Sequence, residues 1–120
     1  MDKSSHYNLE ERTAKLGEDA IAFCKIIRQN VITKPLISQF VRSATSVGAN
    51  YMEANGASSK KDFANKIYIC RKEIQESKHH LRMILSYDAN LKKNAEKLQK
   101  EIQELVLIFS KISGTLRNKK

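Results

Sequence analysis

Proline occurs once in these 120 residues, glycine four times and tryptophan not at all, and no segment alternates apolar and polar side chains with a period of two. Strands facing a core need that alternation and loop-rich folds need turn formers, so what is missing leaves an all-α chain. Long apolar runs are missing as well. None approaches the roughly 20 residues of a membrane span, and no membrane partner is expected. Residues 1–6 are polar, without the apolar centre of a signal peptide, which points to the cytoplasm. There are only two cysteines, Cys24 and Cys70, each inside a helical apolar pattern and without C-x-x-C spacing. Buried reduced thiols are expected.

Acidic residues are the other shortage. Thirteen Asp and Glu face 22 Lys and Arg, a net charge of +9. The imbalance is local: residues 1–59 carry 7 bases and 6 acids, whereas residues 60–120 carry 15 and 7. A basic half favours an anionic partner, nucleic acid before membrane, although a lysine-rich solvated surface has the same composition.

What is present is helical periodicity. Leu9, Thr13, Leu16, Ala20, Phe23 and Ile27 recur at spacings of 3 and 4 and predict a helix over about 9–29. Pro35 suits the first turn of a second, about 35–54, with Leu36, Phe40, Ala44, Val47 and Tyr51 on one stripe. The third, about 60–86, keeps a heptad rhythm through Phe63, Ile67, Cys70, Ile74, Ser77, Leu81 and Ile84, which implies coiled-coil-like packing. The fourth, about 91–116, repeats it through Leu98, Ile102, Leu105, Phe109, Ile112 and Leu116. Four such helices with short links predict one domain over 1–120, an antiparallel up-down-up-down four-helix bundle. One residue does not fit a single chain. At roughly 100° per residue Leu107 points away from the core stripe, so the expectation is a homo-oligomer with Leu107 in its interface.

Residues 46–63, SVGANYMEANGASSKKDF, resemble a phosphate loop only at first sight. The Walker pattern needs a preceding strand and G-x-x-x-x-G-K-[ST], and neither is present. Asn55-Gly56 instead suits a left-handed helix C-terminus, and Ser59 with Asp62 suits a capping box opening the third helix. Glu76-x-x-His79 has the spacing of di-iron bundles but lacks a second copy, so no metal or cofactor is expected. No serine or cysteine stands in a nucleophile pattern with histidine, and the chain reads as non-enzymatic.

Two polar patterns are more specific. On the third helix Lys60, Arg71, Lys78 and Arg82 share one flank, with Lys61, Lys72 and His79 beside it, while Asp62, Glu73 and Glu76 take the other. Such a basic stripe, with Tyr68 as a possible stacking group, can track a phosphate backbone; it can also pair with acids of a neighbouring helix. On the second helix Arg42, Ser46, Asn50 and Glu53 form a polar line, read as a structural hydrogen-bond network before a ligand site.

RSATSVGANYMEANGASSKKDF followed by RKEIQESKHHLRMIL resembles the bacterial four-helix-bundle family named for proteins encoded in intervening sequences of 23S rRNA genes. Its pattern is R-x-A-x-S-[IV]-x-A-N-x-x-E-G, a serine-rich loop, K-x-F, then K-E-x-x-E-x-x-x-W-L. Arg42, Ala44, Ser46, Val47, Ala49, Asn50, Glu53, Lys61, Phe63, Lys72, Glu73, Glu76 and Leu81 match it. Ala54 replaces the glycine and His80 the aromatic, departures that bear on local turn geometry. The resemblance implies a bundle that is a pentamer in some relatives. The family is similar to the accessory variability determinant of diversity-generating retroelements, a basic bundle that binds nucleic acid.

The expected function is a non-enzymatic oligomeric bundle binding RNA or DNA through phosphates, with little base specificity, by Lys60, Lys61, Arg71, Lys72, Lys78 and Arg82. The alternative is a protein interaction scaffold.

Overall fold

The computed structural model describes residues 8–118, so the segment 1–6 read for targeting lies outside the described residues. Four helices, α1 (Leu9–Cys24), α2 (Thr33–Asn55), α3 (Lys60–Tyr87) and α4 (Lys92–Arg117), make up the fold, with a 3-10 turn (Ala89–Leu91) before α4. No strand occurs among the described residues. Neighbouring helices run antiparallel, because facing residue numbers rise on one and fall on the other. Arg42 meets Glu76, Val47 meets Cys70 and Glu53 meets Lys66 between α2 and α3; Phe23 meets Phe40, and Thr13 meets Gly48, between α1 and α2.

Contacts follow a ring: α2 with α3 most extensively, then α1 with α2 and α3 with α4, with α4 closing onto α1 by the thinnest joint. The apolar stripes meet inside that ring. Leu16, Phe40, Val47, Ile67, Ile74, Leu81, Ile102, Leu105 and Phe109 are essentially inaccessible to solvent. Phe109 crosses the core, its ring edge-on to Tyr51 at 6.1 Å. Cys24 and Cys70 are free and buried, and burial pushes their thiols up to about 11 and about 12.

Two local expectations are corrected. Helix α1 ends at Cys24 instead of near Gln29. Asn30 accepts from the Ile32 and Thr33 amides through Oδ1, while Thr33 Oγ1 donates to the Arg28 carbonyl and accepts from the Asn30 amide. This side-chain clamp competes with continued helix, yet Ile27 still turns inward and is buried. The end of α2 does not use the left-handed region: Gly56 has φ −97°, and its amide donates to the Met52 and Glu53 carbonyls. At the start of α3 Ser59 Oγ accepts from the Asp62 amide at 3.0 Å, the first half of the expected capping box.

Glycines report where helices touch. A Cβ at Gly48 would stand 3.2 Å from the Thr13 carbonyl oxygen, backbone that cannot rotate away, whereas one at Gly114 meets nothing within 4 Å. Gly114→Ala should therefore stabilise the bundle by about 0.5–1 kcal/mol. Gly48→Ala should forfeit that gain because α1 and α2 must separate. Urea denaturation of the two variants distinguishes these outcomes, and an equal gain at both positions would contradict the close approach.

Candidate nucleic-acid interface

Helix α3 lies between α2 and α4, and its charges divide accordingly. Two of its three acids turn to α2. Glu73 is buried and accepts from Arg42 Nη1 at 3.2 Å, and Glu76 accepts from Arg42 Nη2 at 2.8 Å. Those bonds raise the Arg42 guanidinium further above its usual range, that to Glu76 most. Beneath them Ser77 Oγ donates to Ser43 Oγ or to the Glu73 carbonyl, each at 2.9 Å. Towards the chain reversal Lys66 Nζ donates to Glu53 at 2.7 Å.

The polar line predicted on α2 is thus divided. Arg42 and Glu53 each cross to α3, Asn50 Nδ2 donates back to the Ser46 carbonyl of its own helix, and these contacts do not form one connected network.

With Glu73 and Glu76 turned away, α3 presents bases towards α4. Lys78, His79 and Arg82 form one wall of an open groove of about 620 Å³, Gln99, Lys100 and Gln103 form the other, and Gln75, Leu81 and Ile102 complete the lining. No carboxylate lines it. The groove between α1 and α4, about 540 Å³, differs: Glu11, Asp19, Glu101 and Glu104 face Arg12, Lys15, Lys97 and Lys100. There Arg12 is already occupied, donating to Glu101 at 2.7 and 2.8 Å and to Glu104 at 2.8 Å. An anion entering between α1 and α4 meets four carboxylates; one entering between α3 and α4 meets none.

The six predicted cations do not converge on this groove. Lys78 and Arg82 line it and form no ion pair among the described residues. Arg71 is half-buried, its Nε donating to Ser110 Oγ at 3.4 Å. Lys72 is exposed, with Nζ 4.0 Å from Glu73. Lys60 and Lys61 line a separate hollow at the first turn of α3 with Ser58, Ser59, Phe63 and Leu116. At 1.5 Å per residue that hollow is roughly 27 Å along the helix from Lys78.

Glu76 and His79 diverge, the first to Arg42 and the second to the groove. No cluster of three or more His, Cys, Asp or Glu able to hold a metal occurs among the described residues. His80 touches the His79 ring edge at 5.8 Å, and burial first, then the His79 charge, holds its imidazole below the usual range. Gln75 on α3 and Lys100, Gln99 and Gln103 on α4 are the groove residues that the periodicity and charge pattern did not single out. The antiparallel register places the three α4 residues opposite Leu81, Arg82 and Lys78, and that register was the available signal.

On the outer face of α4 Leu107 is 61% exposed, between half-buried Val106 and Ile108. No helix among the described residues is long and apolar enough to cross a membrane.

The family model described as 23S rRNA-intervening sequence protein matches residues 7–111. Among solved structures, one from Bacteroides thetaiotaomicron, described as a protein with unknown function from the S23 ribosomal protein family, is similar in fold. It has a TM-score of 0.77 and 24% identity, over 88% of this chain and 97% of that one. No curated protein matches the chain.

Proposed function

The chain belongs to the family of 23S rRNA-intervening sequence proteins, and within it we propose a non-enzymatic, cytoplasmic helical bundle that binds RNA or DNA through phosphate contacts. The observation that carries this reading is the α3–α4 groove, where Lys78, Arg82 and Lys100 converge with no carboxylate among the lining residues. Cations left without partners by the fold retain their full attraction for a polyanion. Lys72, Lys60 and Lys61 extend the positive surface along α3 as peripheral contacts.

Fluorescence anisotropy with a labelled structured RNA and a labelled duplex DNA, across a salt series, tests it. Micromolar or tighter binding at low salt should weaken steeply as salt rises. Lys78→Glu/Arg82→Glu should reduce affinity by about tenfold and flatten the log–log salt slope by roughly one to two units. No binding at low salt, or an unchanged slope in the variant, would leave the groove as a surface for an acidic protein.

Exposed Leu107 supports a second, compatible reading, self-association through the outer face of α4. Leu107→Lys should then lower the solution mass towards that of one chain. An assembly of unaltered mass would place the interface elsewhere.

A further inference from the structure

We propose that the chain assembles head-to-tail, with Leu107 on α4 of one copy seated as a knob in the groove between α1 and α2 of the next. This rests on the self-association reading above and goes beyond it in naming the surface that receives Leu107.

Exposure argues first. The α1–α2 groove, about 360 Å³, has buried Thr13 and Gly17 in its floor with Gly48, and exposed Ala14, Thr45 and Ala49 in its walls. Gly17 faces Thr45 and Gly48 faces Thr13, so the short side chains lie where the two helices approach most closely. Large apolar side chains stand at both ends and reach solvent: Ile21, one turn beyond Gly17, and Met52, one turn beyond Gly48. Such an apolar trough gains by being covered.

Leu107 is its complement. It is a single large apolar side chain on the outer face of α4, and Gln103 and Lys111 are its neighbours one turn away on that face. One knob in polar surroundings matches a hole walled by short side chains, the geometry of knobs-into-holes packing. Two Leu107 side chains meeting across a twofold axis would bury only each other and leave both grooves open to water.

Charge sets the register. Glu10 and Glu18 line the groove, no base lines it, and neither acid forms an ion pair among the described residues. On α4 the acid beside Leu107, Glu104, is taken by Arg12 of its own chain, and no acid follows it in the sequence. Lys111 is exposed and likewise unpaired among the described residues. Glu10 and Glu18 lie four residues to either side of Ala14, and Lys111 lies four residues from Leu107, each roughly 6 Å along its helix. With Leu107 beside Ala14, Lys111 therefore comes level with Glu10 or Glu18, whichever way α4 runs. Knob and groove occupy different faces of one bundle, so each chain offers both at once and the contact repeats from copy to copy until a ring closes.

Sedimentation of the full chain tests this. Leu107→Lys removes the knob, and Ala14→Lys/Ala49→Lys fills the groove; all three positions are exposed, and circular dichroism checks that each variant is folded. Each variant alone should fall to the mass of one chain. Their equimolar mixture should form a species of two chains and nothing larger, because the one intact knob seats once in the one intact groove. Lys111→Glu in the otherwise unaltered chain should weaken assembly severalfold, and adding Glu10→Lys/Glu18→Lys should restore most of the loss. A groove variant that keeps the parent's mass, a mixture that stays at one chain at every concentration, or a Lys111→Glu loss that the α1 changes leave in place overturns the head-to-tail contact. If Leu107→Lys still lowers the mass in that case, Leu107 meets its own counterpart. A parent with the mass of one chain, or a Leu107→Lys variant with the parent's mass, removes the self-association reading as well.

Discussion

Phe109→Ala is expected to cost about 3–5 kcal/mol of unfolding free energy, the range for removing a buried aromatic side chain. Phe109 is fully buried on α4 and meets the Tyr51 ring of α2 across the bundle. Truncation loses transfer free energy and leaves a void. It also loses an edge-to-face pair, worth about 0.5–1.5 kcal/mol beyond the area it buries. A domain of this size has about 5–15 kcal/mol in total, so the variant should be close to unfolding at physiological temperature. Circular dichroism in urea should show the midpoint falling sharply with the slope preserved, and Phe109→Leu should lose less than half as much. A loss below about 1 kcal/mol in Phe109→Ala would mean that the core collapses around the gap, contrary to its tight packing.

Arg42→Met should cost about 2–3 kcal/mol, more than a surface substitution normally does. The arginine itself is half exposed; the cost arises on its partner. Glu73 is buried, and its nearest other cation, Lys72 Nζ, is 4.0 Å away. Removing one partner strands a charge away from water, which is costlier than the net worth of the pair. Glu73→Gln in the Arg42→Met background should therefore recover much of the loss, whereas the two changes would add if the residues acted independently. A denaturant double-mutant cycle measures this. Arg42→Met within about 0.5 kcal/mol of the parent would show that solvent reaches Glu73 freely.

The sequence carries the helices and their inward faces because period 3.6 is a property of single segments. Leu9 through Phe23 and Ile67 through Ile84 are buried where their spacing places them. The Ser59 cap is legible for the same reason, being complete within four residues. The α1 terminus is not, since Thr33 reaching back to the Arg28 carbonyl is a contact between residues that neither periodicity nor propensity couples. At Ile27 the two signals part: burial persists where the helix has ended.

The candidate site divides along the same line. That the acids and bases of α3 separate is visible on a helical wheel; that Arg42 takes the acids while Lys100 joins the bases depends on which helix lies on which side. Lys60 and Lys61 share a flank with Lys78 on the wheel, but a wheel discards distance along the axis, and the structure gives them a different hollow.

The thin joint between α4 and α1 bears on how the chain is made. The side-chain bonds joining α2 to α3 close loops of 13 to 34 residues, whereas those joining α1 to α4 span 89 to 92. Short loops close at less entropic cost. On a ribosome, α1, α2 and α3 can come together once Tyr87 has emerged, with their apolar faces still open along one side until α4 is synthesised. Refolding followed by pulsed hydrogen exchange should protect α2 and α3 amides before those of α4; simultaneous protection would mean that the hairpin cannot form ahead of the whole. The nascent chain thus passes through a stage in which Tyr51 waits uncovered for Phe109, and through that interval a chaperone, or another chain, can reach the future core.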